Sequence, residues 1–268
     1  MTRKSLLNVT SRKKRDTMLS FSNTNGNGLS QTVAQSGLNV NGASSAFVLW
    51  AATARDLVQF GGNSNTVVQE ALRTATTCFI RGLKENIRVQ TSSGLPWLWR
   101  RILFSSRDFN FRVGTATSPV QTYSPYIETS NGYQRLFFNQ DVNNMVPDTN
   151  AMTGLIFKGA RGVDWNDYMT APLDTRRIDV ISNKYRRISS GNSVGVLRDY
   201  RMWYPVNKNI VYSDDEQGEV ETTQNWSVTD KRGMGDLYVL DIIQPGYGGT
   251  TSDIINLSSE ASLYWHER

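Results

Sequence analysis

Residues 78–104, CFIRGLKENIRVQTSSGLPWLWRRILF, hold the pattern from which the fold is read. Ile87 and Val89 alternate with Arg88 and Gln90, the period-2 signature of a strand with one buried face. Gly82 stands where the phase breaks and marks a bulge. A second strand runs over 97–104. Pro96 leads into it, at a position where a missing N–H costs the ladder nothing.

Working outward, residues 46–52 (AFVLWAA) form an apolar run that fits a strand covered on both faces. Before it, residues 23–43 are rich in Asn, Gly, Ser and Gln and are expected to be a loop. Earlier still, Leu19 and Phe21 alternate with Ser20 and Ser22, which assigns the two apolar side chains to the core face. Val67, Val68, Ala71, Leu72 and Ala75 recur at helical spacing and predict one short helix at about 65–76. Downstream, strands are expected at about 176–188, 196–206 (running on to 211), 236–243 and 257–267. Residues 105–174 form a long, mostly polar excursion with one strand-like piece at 133–138, and residues 213–234 form a second. Both exceed ordinary connection lengths, so they are expected to decorate a surface or to make subunit contacts. Eight strands, one helix and no alternating β/α rhythm predict an all-β protein. Its expected form is an eight-stranded jelly roll (β-sandwich) with one short helix and long surface loops.

Charge divides the chain differently. Of its 29 cations, six (Arg3, Lys4, Arg12, Lys13, Lys14 and Arg15) lie in the first 15 residues, which contain no acid. That leaves 23 cations against 24 acids in the remainder. The expected organisation is therefore a basic N-terminal arm over 1–15 and a β domain over 16–268. Mutually repelling Arg12–Arg15 side chains are expected to project away from the core toward a polyanion or water. Trp97, Trp99 and Arg101 share one strand parity, while Arg100 points to the other face. Trp99 with Arg100 or Arg101 is thus a second candidate for nucleic-acid contact through stacking and charge.

Signals for catalysis are weak. Gly191-Asn192-Ser193-Val194-Gly195 matches the G-x-S-x-G elbow, which needs a strand before it, a helix after it and a histidine base. Here a strand follows, so Ser193 is expected in a hairpin turn. His266 is the only histidine and Cys78 the only cysteine, too few soft ligands for a zinc site. Cys78 is expected to be a buried small hydrophobe, in keeping with a reducing compartment. Asp214, Asp215 and Glu216 lack the spacing of a calcium loop and are expected to form a solvated acidic turn. No catalytic residue, metal or cofactor is predicted. No apolar run approaches about 18 residues, so no membrane-spanning helix is expected. The N-terminus has charge without an apolar segment, so no secretory signal is expected.

Seven stretches together resemble the capsid proteins of genomoviruses, small circular single-stranded DNA viruses that include fungal viruses. They are 8–22 (NVTSRKKRDTMLSFS), 78–104, 174–178 (DTRRI), 189–192 (SSGN), 203–212 (WYPVNKNIVY), 233–236 (GMGD) and 261–267 (ASLYWHE). They run in order over most of the chain. The resemblance implies a jelly-roll subunit, sixty copies in an icosahedral shell, and enclosure of circular single-stranded DNA. It further implies residence in the virion and the host nucleus, and no catalytic residues. Arms of that family are usually longer and richer in arginine than this one. Arg12, Lys13, Lys14 and Arg15 also resemble a nuclear-import signal, which implies a host import receptor as a partner. The residues alone leave two alternatives open: a monomeric β-sandwich module binding carbohydrate or single-stranded nucleic acid, and a β-rich hydrolase using Ser193 or a carboxylate pair.

Overall fold

In the computed structural model, residues 9–114 and 121–267 are described. Along the chain the strands are β1 (Arg12–Met18), β2 (Ser20–Thr24), β3 (Ser30–Gln35), β4 (Leu38–Asn41), β5 (Ala46–Ala51), β6 (Thr77–Thr91), β7 (Trp97–Ser106), β8 (Glu128–Thr129), β9 (Gly132–Tyr133) and β10 (Arg135–Phe137). Helix α1 (Val146–Ile156) follows, then β11 (Asp179–Ile188), β12 (Leu197–Val211), β13 (Asp215–Gln217), β14 (Val220–Thr222), β15 (Asp236–Pro245) and β16 (Ile254–Glu267). The described chain is mostly β, and its large sheets are antiparallel.

Two sheets share one core. The first has the order β1-β16-β6-β12, with β4 pairing the start of β16 beyond the end of β1. The second has the order β11-β7-β15-β5. Strands β6 and β7 therefore part company, although they are neighbours in sequence. Alternation along β6 puts Ile80, Leu83, Ile87 and Val89 inward and Lys84, Arg88 and Gln90 outward. β5 and most of β15 are buried on both faces, as their unbroken apolar runs require. Trp50, Trp97, Trp99, Trp265, Phe47 and Phe104 are among the largest apolar side chains sealed inside. Burial of such a side chain contributes roughly 1.5–3 kcal/mol. The bulge expected at Gly82 is present: Arg81 is skipped in the pairing with both neighbouring strands.

A charged cluster is enclosed with the apolar core. Arg135 on β10 reaches Glu85 of β6 at 3.0 Å and Asp241 of β15 at 2.6 Å. Arg101 on β7 pairs with the same Glu85 and lies 3.3 Å from Asp241. The Trp99 indole N–H donates to Asp241 at 2.8 Å and the Ser259 hydroxyl to Glu85 at 3.1 Å. Burial alone pushes the Glu85 carboxyl up, but Arg101 and Arg135 outweigh it and hold it below the usual carboxylate range.

Several expectations are corrected. No helix forms over 65–76. The carbonyls of Gln69 and Leu72 turn toward the Lys14 ammonium, at 3.2 and 2.7 Å, instead of toward a helical ladder. Val67 and Val68 are left exposed there. The helix is α1, inside the first excursion, with a proline in its first turn and Met152 and Ile156 buried. That excursion is also less loop-like than expected: Phe111, Phe137, Phe138 and Phe157 join the common core, and β10 pairs with β2. The expected 23–43 loop contains β3 and β4. The phase at 19–22 holds only in part: Phe21 packs against the core, but Leu19 is exposed, and Ser22, Asn23 and Thr24 are buried. The cause is a change of sheet, because β1 ends at Met18 and β2 pairs with β10 and β3.

Replacing Glu85 by Gln leaves two buried guanidiniums short of charge. Removing one partner of a buried pair costs about 3–5 kcal/mol, so denaturant titration of the Glu85→Gln variant should show a loss of that order. The wild type should also be acid-labile. A carboxyl whose folded pKa is depressed adds stability that is complete above its unfolded value of about 4.3 and is lost as pH falls through the folded one. Thermal melts should therefore decline below about pH 4.3, and the variant should lack Glu85's share of that decline.

Candidate nucleic-acid interface

The residues singled out by the sequence scatter to different environments. Arg3 and Lys4 lie outside the described residues. Trp99 and Arg101 are 0% and 1% exposed, locked in the charged cluster between the sheets, so neither can reach a nucleic acid in the folded subunit. Arg100 faces the other way but is also buried. Its guanidinium donates to the carbonyls of Tyr168 and Ala171, at 2.6 and 2.8 Å, and to Asn183.

Residues 12–15 are not a free arm. They form the first half of β1, paired residue by residue with β16 from Glu267 to Tyr264. Strand alternation sends Lys14 inward, against the expectation that all four cations project. Its ammonium lies 3.3 Å from the Glu267 carboxylate, between the Gln69 and Leu72 carbonyls and the Thr74 hydroxyl. Burial pushes the Glu267 carboxyl up, but hydrogen bonds from Thr74 and the Trp265 indole, with the Lys14 charge, hold it below its ordinary range. Arg12 donates to the Val67 carbonyl at 2.6 Å. Lys13 and Arg15 point outward and pair with no described acid.

The two outward cations join a larger surface. On the outer face of β1-β16-β6-β12, cross-strand register builds successive rows. Lys13, His266, Phe79 and Asn209 form the first row. Arg15, Tyr264, Gly82 and Pro205 form the second, and Thr17, Ser262, Lys84 and Trp203 the third. Glu260, Asn86 and Arg201 follow, then Ser258, Arg88 and Asp199. Arg81 bulges out beside the first two rows and contacts Asn207. Six cations thus share the face with two acids, and one of these, Asp199, is 3.0 Å from Arg88. The His266 imidazole is held below its ordinary pKa by burial and by Lys13 and Arg81, which favours its neutral form. Lys84, Arg201, Trp203 and Tyr264 were missed by sequence reasoning. Their outward parity is visible in β6, β12 and β16 separately, but nothing local says that these strands adjoin.

The remaining candidates fall into structural roles. Ser193 lies in the exposed turn between β11 and β12, with strands on both sides. Cys78 is buried, and burial together with Glu267 pushes its thiol well up, away from a reactive thiolate. Asp214 departs from the expected solvated turn: its carboxylate is sealed against the Arg73 guanidinium at 2.5 Å, and only Asp215 and Glu216 are exposed. Among the described residues no group of His, Cys, Asp or Glu is arranged to hold a metal ion. No helix of the described residues is long and apolar enough to cross a membrane. No protein-family model matches the chain, and no curated protein matches it.

Neighbouring lysines test the assignment of roles in β1. Lys14→Met breaks a buried pair and should cost about 3–5 kcal/mol in denaturant unfolding. Lys13→Met removes an exposed charge and should change stability by less than about 0.5 kcal/mol. Equal effects would return residues 12–15 to the status of a free arm.

Proposed function

We propose that this chain is the coat subunit of a small virus, built to close into a shell around a single-stranded genome. The observation that carries this reading is the strand order. Taken in chain order, the eight long strands β1, β5, β6, β7, β11, β12, β15 and β16 form sheets ordered 1-8-3-6 and 5-4-7-2. That order supports a jelly roll, a fold used by viral capsids and also by lectins and cupins. Fold alone does not choose among them. The choice is supported by the seven segments that resemble genomovirus capsid proteins, most of which fall on β1, β6, β7, β12 and β16. The particular protein proposed is a capsid protein of that family, found in the virion and the host nucleus.

In this reading the 105–174 and 213–234 excursions decorate the shell or join its subunits. Self-association supplies the first partner and viral single-stranded DNA the second. An import receptor is a third, and it would have to read residues 12–15 before β1 pairs, because Lys14 is enclosed afterwards.

Closed icosahedral symmetry makes the oligomer testable. Sixty copies of a 30.2 kDa chain weigh about 1.8 MDa. Light scattering and native mass measurement on the full chain should find a species of that mass, with round particles in negative stain. Only monomer, across a range of pH and salt, would sink the coat-protein reading and leave the monomeric binding module.

A further inference from the structure

We propose that the outer face of the β1-β16-β6-β12 sheet is itself a binding site for single-stranded nucleic acid, with Trp203 as the platform on which an unpaired base stacks. The inference rests on the coat-protein reading only for the identity of the strand as a genome. The site stands on its own geometry.

Trp203 lies on β12 between buried Met202 and buried Tyr204, yet is 45% exposed. Its ring lies down across the neighbouring strand at Gly82. A Cβ placed on Gly82 would stand 2.6 Å from the Tyr204 carbonyl oxygen and 2.7 Å from both Cη2 and Cζ2 of the indole, closer than real side chains permit. Glycine is thus required there by the β12 backbone and by the indole together. Tyr264 meets it edge-on, with centroids 5.7 Å apart and planes at 72°, and stops it from swinging off the sheet. One side of the indole is thus held by backbone, and the exposed remainder faces solvent.

The surrounding charge suits a phosphate backbone. Lys84 is directly cross-strand from Trp203, Arg15 directly cross-strand from Tyr264, and Arg201 two residues along β12. None of the three is ion-paired with a described acid. Neighbouring strands are about 4.8 Å apart, so cations on three strands flank the ring at distances a short run of nucleotides can span. Aromatic platforms flanked by cations bind single strands with little sequence preference, because every base has a π-face and duplex bases have theirs covered. An acidic protein segment is the competing occupant. The exposed β13–β14 hairpin of another copy, with Asp215, Glu216, Glu219 and Glu221, has the charge for it. Carboxylates would be served by the cations alone and leave the exposed, flattened indole without a partner.

The test is fluorescence anisotropy of a labelled oligothymidylate, and of a duplex of equal length, with the full-length protein. Stacking is worth about 1–3 kcal/mol per base, so Trp203→Leu should weaken single-strand binding by about 5- to 160-fold with an unchanged salt slope. Lys84→Ser with Arg201→Ser should reduce the slope by about 0.7 for each cation. Trp203→Phe, which keeps a smaller π-face, should lose less affinity than Trp203→Leu, and far-ultraviolet circular dichroism checks that each variant keeps its fold. If Trp203→Leu binds like the wild type, or the duplex binds as tightly as the single strand, the inference is wrong. It is equally wrong if the variants abolish particle formation and leave oligonucleotide affinity intact, because the face is then a contact between copies. Particle mass separates the two levels: shells with Trp203→Leu affinity unchanged overturn the platform alone, and a monomer that loses affinity overturns the coat-protein reading alone.

Discussion

Two arginines and two carboxylates sealed between the sheets bear on everything else in the fold. Glu85, Arg101, Arg135 and Asp241 come from β6, β7, β10 and β15, so the cluster ties one sheet, the other sheet and the long excursion at a single place. All four side chains are at most 1% exposed. Desolvating such ions costs as much as their attraction returns, and an apolar replacement of the same shape is often as stable. Pairing specificity is the better account of their presence. Arg135 can satisfy Glu85 and Asp241 together only in one register, and its guanidinium also lies 4.5 Å from the Trp50 ring centroid and 4.0 Å from that of Phe137. A slipped strand would strand a charge in the core, so wrong registers are penalised more than the right one is rewarded.

The same use of charge recurs around the periphery. Lys14 with Glu267, Arg55 with Asp16, Arg73 with Asp214 and Arg112 with Asp236 each join segments far apart in sequence. Each lies where an irregular segment meets a sheet or another loop, and the guanidiniums of Arg73 and Arg112 also satisfy backbone carbonyls there. A chain with long excursions has many carbonyls outside any ladder, and an arginine with its five donors is an efficient way to satisfy them. Much of the positive charge is thereby consumed inside the subunit. On the outer face of the β1-β16-β6-β12 sheet, Lys13, Arg15, Lys84 and Arg201 remain unpaired with any described acid.

Gly82 links the fold to that face. The bulge beside it pushes Arg81 outward, and the missing side chain makes room for the Trp203 indole. One irregularity in β6 therefore supplies both a cation and an aromatic platform, as bulges commonly re-aim side chains at functional surfaces.

The sequence by itself determined the strands with strong period-2 or unbroken apolar character, β5, β6, β7, β12, β15 and β16, together with the Ser193 turn and the bulge near Gly82. Those features depend on interactions within a few residues. It did not determine the phase at Leu19, where the chain leaves one sheet for another, nor the helix, whose apolar spacing over 65–76 lost to carbonyls drawn toward Lys14. It also misjudged which of the candidate side chains are exposed. Trp99, Arg101 and Lys14 look like surface chemistry in one dimension, because alternation tells which side chains share a face and is silent about what covers that face. Burial of a cation depends on a carboxylate delivered from elsewhere: Asp241 arrives at Arg101 across 140 residues, and Glu267 closes over Lys14 from the last strand. Only the tertiary structure brings these partners together, so only it decides which charges hold the subunit and which remain for a partner.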